Sequence, residues 1–481
     1  MDRTFKYHAV DFLLPAQRFN IHFSYVSQRG LPFVREFVLR LVHLSPMTKS
    51  QISVFFGFSR REIDEAVADL VTREELMLNE TGRLALTEKS IGYFSDLGEA
   101  PKLALLQDSW ARLCFDLATL SCHGNLRSDK WKSGISLPVA TESIAKSESL
   151  VEKAFQHQFH EILNKNLLSK SLTQDEKDNP TVYTVNTVNK IGQMPLRLTV
   201  NFNVDEQGRS VEREDFEILN DSDYVQQLIT IELDRLARPN NMIEIAKAMM
   251  QINDDFTIKL IESKTHSINL NFLEDLHKIE ENSAKRITFI GPLYSEENWA
   301  LLQKHLAPAL NSRIKNGIND DQRSFIWLAS SDPYWSKSNR LHVALSDFYN
   351  KAKTKDKTLY SPTLYLPIEN SEDQRAIKQW KNELDPDLEN AHGIREGFLG
   401  GNVEVLALER ELAVVVYHMS FPESYPVTMP VGFICTDSKA VNLIETLVRK
   451  YIQGSAGHEK PNDCGPIKKL LHNQKEKLLI S

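Results

Sequence analysis

The 481-residue sequence predicts a mixed fold, α/β in its last third and α+β ahead of it. Three observations carry this. After Lys285 short apolar strands alternate with an amphipathic helix, RITFIGPLY, then EENWALLQKHLAPALNSRI, then RSFIWLASSD, which is the rhythm of an α/β sheet. Between Thr48 and Thr87 two capped helices precede two short apolar runs. VYTVNTV and LRLTVNFNV alternate apolar and polar residues with period two, as half-buried strands do. At 41% hydrophobic residues and this length, about three domains of ordinary size are expected.

The elements follow in order. Residues 1–28 alternate apolar and polar positions and suit a short β-hairpin around Pro15 and Ala16. From Pro32 to Leu44 the residues Phe33, Phe37, Val38, Leu41 and Val42 share one helical face, and Ser45 with Pro46 ends it. Residues 29–95 form the first domain after that extension. Residues 96–180 are expected to be helical, over 102–121 and 139–168, with a polar, basic loop at 123–137 and a linker over 171–180. A small antiparallel sheet at 181–204 ends in the turn DEQG, and helices run from Asp223 to about Glu280, completing a segment 181–282. The α/β domain spans 286–453, through TLYLPI, NVEVLALE, ELAVVVYH and PVGFIC to the helix SKAVNLIETLVRKYI. Residues 454–481 read as a basic amphipathic tail, solvated or docking a partner.

Composition excludes several classes. No run of about 18 apolar residues occurs, and MDRTFKYHAVDF lacks a secretory layout, so a cytoplasmic protein without membrane association is expected. Cys114, Cys122, Cys435 and Cys464 match neither a zinc knuckle nor a disulfide framework, and Cys114 reads as packing on a helix. A net charge of −8 argues against coating nucleic acid by bulk electrostatics, so any DNA contact is focused. Gly397, Gly400 and Gly401 make no phosphate-binding fingerprint, and neither G-x-S-x-G nor H-E-x-x-H is present. No cofactor, metal or catalytic residue is assigned.

Thr48 caps a helix running to Phe56, Gly57 supplies a turn, and Ser59 with Glu62 makes a capping box for a second helix lined by Ile63, Ala66, Val67, Leu70 and Val71. Leu76–Leu78 and Arg83–Leu86 are strands joined by Asn79-Glu80-Thr81-Gly82, and Thr87 caps a further helix. Over residues 31–94 this spacing resembles the winged helix-turn-helix superfamily of bacterial and archaeal regulators. The resemblance implies that the second helix of the pair enters the major groove, with Ser59, Arg60 and Arg61 nearest base edges. It places Lys49 and Ser50 near phosphates and Arg83 on the wing. Residues 29–94 nevertheless hold nine Lys or Arg and nine Asp or Glu, and the reading helix carries Glu62, Asp64, Glu65 and Asp69, which repel phosphate. A protein-docking module is the competing expectation.

The strand, helix, strand from Arg286 to Asp332 resembles the opening of phospholipase D-like domains. In that family a later strand carries H-x-K-x4-D, with a nucleophilic histidine and a phosphate-binding lysine. The matching strand here, NVEVLALEREL, puts Asn402, Glu404 and Glu409 at those positions, so the site is expected to be degenerate. Winged helix and degenerate domain together resemble archaeal regulators of the TrmB type, which implies a ligand-binding or dimerising C-terminal half. A lone H-x-K at His458 and Lys460, with Gly465 five residues on, reads as a solvated loop.

Ser330, Ser331 and Asp332 end a strand where α/β sheets place ligands, and Tyr334, Trp335, Lys337 and Arg340 form an aromatic and basic cluster beside them. Ser331, Asp332, Trp335 and Arg340 are thus candidate ligand contacts, against an ordinary turn and core packing. Arg127, Lys130, Trp131 and Lys132 repeat the aromatic and basic composition in a loop. His342 and His418 read as satisfied core or surface residues. The expected function is a non-catalytic, nucleic-acid-associated regulator or sensor, with DNA and a protein partner or second copy as its partners. The alternatives are a subunit of a DNA-processing or phage-defence assembly, and a phosphodiesterase or nuclease with an unrecognised site.

Overall fold

A computed structural model of the chain describes residues 4–96, 100–127, 131–168, 180–262, 267–269, 285–316, 323–351, 359–385, 388, 390–454 and 461–471. The fold is mixed α/β and divides into two compact units. One comprises Ala16–Arg127 and Val139–Met194; the other comprises Met1–Pro15, Ser128–Pro138 and Pro195–Ser481. The units therefore do not follow consecutive segments of the chain.

Phe5–Gly30 is one strand, β1, not the hairpin expected around Pro15. The ladder partner changes at that proline: Phe12 and Leu13 pair with Ile135 and Ser136, whereas the antiparallel ladder with Lys102–Asp116 begins at Ala16. Having no amide to donate, proline is tolerated where one ladder gives way to another. Lys102–Asp116 is likewise a strand, not a helix. Its Ala111, Leu113 and Phe115 face Ile21, Phe19 and Gln17 across the ladder, and the first two pairs join a core with Phe23, Val151, Phe155 and Phe159. Cys114 accordingly sits on a buried strand, and all four cysteines are free thiols. The third correction is Thr181–Val204, a single strand that pairs with β1 in place of a separate small sheet. The turn after it forms as expected, Gly208 N–H donating to Asp205 O at 2.9 Å.

In the first unit α1 (Phe33–Leu44), α2 (Lys49–Phe56) and α3 (Arg60–Thr72) precede the two-stranded ribbon of β2 (Leu76–Leu78) and β3 (Leu84–Leu86), and α4 (Glu88–Ile91) follows. Val38, Leu39, Ile52, Ile63, Val67, Leu70, Leu76 and Leu84 close one core among them. β4 (Lys102–Asp116), α5 (Thr141–Ala145), α6 (Ser147–Asn164) and the part of β6 (Thr181–Val204) up to Met194 complete this unit, whereas β5 (Ile135–Ser136) and the rest of β6 belong to the second.

The second unit is built on a sheet of eight strands in the order β16-β12-β11-β10-β13-β14-β15-β9. These are β9 (Arg286–Ile290), β10 (Ser324–Leu328), β11 (Ser361–Ile368), β12 (Ala391–Arg395), β13 (Val403–Leu408), β14 (Leu412–Met419), β15 (Met429–Cys435) and β16 (Asp463–Pro466). β10, β11 and β12 are parallel; the remaining pairs are antiparallel. α7 (Ser222–Leu236), α8 (Met242–Ile252), α9 (Glu296–Asn316), α10 (Arg340–Asn350), α11 (Gln374–Leu384) and α12 (Ser438–Gln453) accompany it, and the short pair β7 (Ile261–Glu262) and β8 (Ser267–Ile268) lies before β9. Every residue of β13, β14 and β15 is buried, which explains why their sequences run apolar without alternation.

The tail is not wholly solvated. Asp463–Pro466 forms the edge strand β16 and Ile467 is fully buried in the sheet's core. His458, Lys460 and residues 472–481 lie outside the described residues, as do 270–284, where helix was expected.

Candidate nucleic-acid interface and a buried polar centre

Local chemistry builds the helix pair of the first unit. The Thr48 side chain accepts from Gln51 N–H, Gly57 closes α2 at φ +71°, and Ser59 accepts from Glu62 N–H while the Glu62 carboxylate accepts from Ser59 N–H at 2.8 Å. This capping box holds the Glu62 carboxyl below its ordinary range, through the Ser59 amide first. Ile63, Val67 and Leu70 point inward; Ala66 is only half-buried and Val71 is exposed, so the inner face is narrower than expected.

Arg60 and Arg61 are exposed at the start of α3, and Lys49, Ser50, Ser59 and Arg83 are exposed as well. Acids engage part of this charge. Lys49 Nζ lies 2.8 Å from Asp64, whose carboxyl it holds low, and Arg61 pairs with Glu65 at 3.0 Å. Both pairs are open to water, where salt screens them and they hold the side chains only weakly. Val54, Phe55, Met77 and Leu78 also expose large apolar surfaces on this module.

The second unit encloses a chain of ionisable groups from separate strands and loops. His418 on β14 lies between two carboxylates: its Nδ1 is 2.9 Å from Asp332 Oδ2 and its Nε2 is 3.2 Å from Glu404 Oε2. Both ring nitrogens thus face carboxylate oxygens, an arrangement that favours the imidazolium. Burial opposes that charge, but the two carboxylates outweigh it and raise the His418 pKa to about 9. Trp327 Nε1 donates to Glu404 Oε1 at 2.7 Å and Thr428 Oγ1 donates to Asp332 Oδ2 at 2.7 Å. Asn241 fixes the strand end, donating to His418 O and accepting from Ser420 N–H.

The expected degenerate triplet is thereby dispersed. Glu404 is buried in this centre, Asn402 donates to Gly400 O, and Glu409 at the far end of β13 accepts from Ser324 and pairs with Arg449. The expected ligand cluster also divides. Tyr334 and Trp335 are core residues and have no face for a base; Lys337 pairs with Glu383, and Ser331 N–H is taken by Gly401 O. Trp131 stacks on His342 at 3.8 Å, so this part of the loop is packed, while Lys130 lies outside the described residues. His342 is satisfied as expected, 3.0 Å from Ser133.

Arg340 does line a cavity of about 590 Å³, with Tyr7, His8, Thr199, Asn201, Tyr294 and Asn298 among its other walls. Sequence reasoning missed His8, Tyr294 and Asn298; it read His418 as a satisfied core or surface residue, and the ring is buried and satisfied on both nitrogens, but its partners Asp332 and Glu404 were not foreseen. A signal existed: Glu404 and His418 are each a charged or titratable residue within an otherwise apolar strand, and such a residue needs a partner.

Among the described residues no group of three His, Cys, Asp or Glu residues is arranged to hold a metal ion, and no helix is long and apolar enough to cross a membrane. No family model and no curated protein matches the chain. It is similar to a solved structure of TrmBL2, an archaeal chromatin protein with a novel mode of DNA binding, over 49% of this chain and 70% of that one. Identity is 8% and the TM-score 0.17, a weak likeness that carries no weight for function.

Proposed function

We propose that the chain is a non-catalytic, DNA-associated regulator or sensor, with the helix pair of the first unit as its DNA contact and the α/β unit as a ligand-binding or oligomerising part. One observation carries the reading: Arg60 and Arg61 project into solvent from the capped start of α3, the end of a reading helix that meets base edges. The engagement of Glu404 by Trp327 and His418 supports the non-catalytic part, because a buried, hydrogen-bonded acid then occupies the position that the resemblance to phospholipase D-like domains would give to a phosphate-binding cation. The test is binding of random and genomic DNA at several salt concentrations by the wild type and by the double variant Arg60→Ala, Arg61→Ala. A loss of at least about tenfold is expected, and equal affinities would remove the role.

A second reading, a docking subunit of a larger assembly, is favoured by the Lys49–Asp64 and Arg61–Glu65 pairs and by exposed Val54, Phe55, Met77 and Leu78. Co-purification of a stoichiometric partner that is lost on Phe55→Asp would select it.

A further inference from the structure

We infer that the cavity lined by Tyr7, His8, Tyr294, Asn298 and Arg340 is a binding site for a small molecule with a protonated amine on an apolar body. The inference rests on the reading of the α/β unit as the ligand-binding part and names the ligand's chemistry. At about 590 Å³ the space is of the size that holds small ligands, which is roughly 300–1,000 Å³. Aromatic and aliphatic walls, Phe5, Tyr7, Ile290, Tyr294 and Met429, suit an apolar body.

The charge preference follows from what stands at and behind those walls. His8 is fully buried; the backbone of Ala9 is within its reach, but no side chain among the described residues satisfies either ring nitrogen. Asp332 Oδ1 has no hydrogen-bond partner among them, and the Asp332 charge acts on both His8 and Tyr294. In the buried centre two acids, Asp332 and Glu404, share one base, His418, so acid outnumbers base there. A cation brought into the cavity is attracted by that excess of acid over base. Burial keeps His8 neutral, its pKa pushed down to about 4, so one ring nitrogen is an acceptor for an ammonium proton.

The helix starts that border the cavity do not call for an anion. Asn339 N–H at the start of α10 already donates to Asp11 Oδ2, and Asn298 N–H in the first turn of α9 donates to Ser295 Oγ. The two cations of the lining are also matched, Lys6 by Glu297 and Arg340 by Glu296.

Three probes of matched shape separate the head groups: 2-phenylethylamine, 3-phenylpropionate and 2-phenylethanol, titrated calorimetrically into the full chain near neutral pH. The amine is expected to bind at least about tenfold tighter than the other two. His8→Leu should abolish that preference, and Asn201→Trp, at an exposed lining position, should block binding by filling the space without disturbing the core. Equal or tighter binding of the acid or the alcohol, no binding of any probe at millimolar concentration, or unchanged amine binding in Asn201→Trp would overturn the assignment. Amine binding retained by the Arg60→Ala, Arg61→Ala variant, or DNA binding retained by Asn201→Trp, tells failure of one reading from failure of the other.

Discussion

At the scale of single residues, His418 and His8 face the same buried surroundings with opposite outcomes. His418 gains two carboxylate partners and takes up its proton at about 9 when folded, against an ordinary value of 6.5. The stability it contributes is complete below pH 6.5 and is lost as pH rises through about 9. His8 gains none; the unfolded chain binds a proton below about 6.5 that the folded chain refuses until about 4. Its contribution is complete above 6.5 and falls as pH drops toward 4. Melting temperature measured against pH should therefore peak near 6.5, with His418→Gln flattening the alkaline side and His8→Leu the acid side. His418→Leu, which leaves Asp332 and Glu404 buried without their cation, should cost about 3–5 kcal/mol in chemical denaturation. A loss under about 1 kcal/mol would mean that the centre is not charged as described.

At the scale of elements, α2 and α3 were legible because their signals are local. Thr48, Gly57, Ser59 and Glu62 act on amides three or four residues away, so no distant contact is needed to place the turn between them. Ser59→Ala should destabilise the first unit by about 1 kcal/mol, and Gly57→Ala by about 1–2 kcal/mol because φ +71° strains any residue with a Cβ. Circular dichroism melts would show both, while Arg60→Ala and Arg61→Ala should change stability by less than about 1 kcal/mol. β4 was misread for the opposite reason. KLALLQDSWARLCFD places apolar residues at spacings compatible with either period, and only its ladder with β1, Phe19 against Leu113 and Ile21 against Ala111, makes it a strand.

At the scale of the molecule, the chain's tail completes the large sheet of the second unit. β16 pairs with β12 and Ile467 is buried in the same core as Trp327, Leu364 and Ile377. Ile467→Ala should cost about 2–5 kcal/mol in that unit, measured by denaturant unfolding; a change near zero would place the tail outside the cooperative structure. Nothing in GPIKKLLHNQ marks that isoleucine as core, since its partners are dozens of residues away.

Sequence alone determined the mixed class, the capped helix pair with its hairpin, and the acid at Glu404, because caps, turns and period act over a few residues. Tertiary structure decided which strands pair and where partners change along β1. It also decided that Asp332, Glu404 and His418 meet while Asn402 and Glu409 lie apart. Those outcomes depend on which distant segments bury one another, and burial sets both the sheet register and the charge state of the groups inside it.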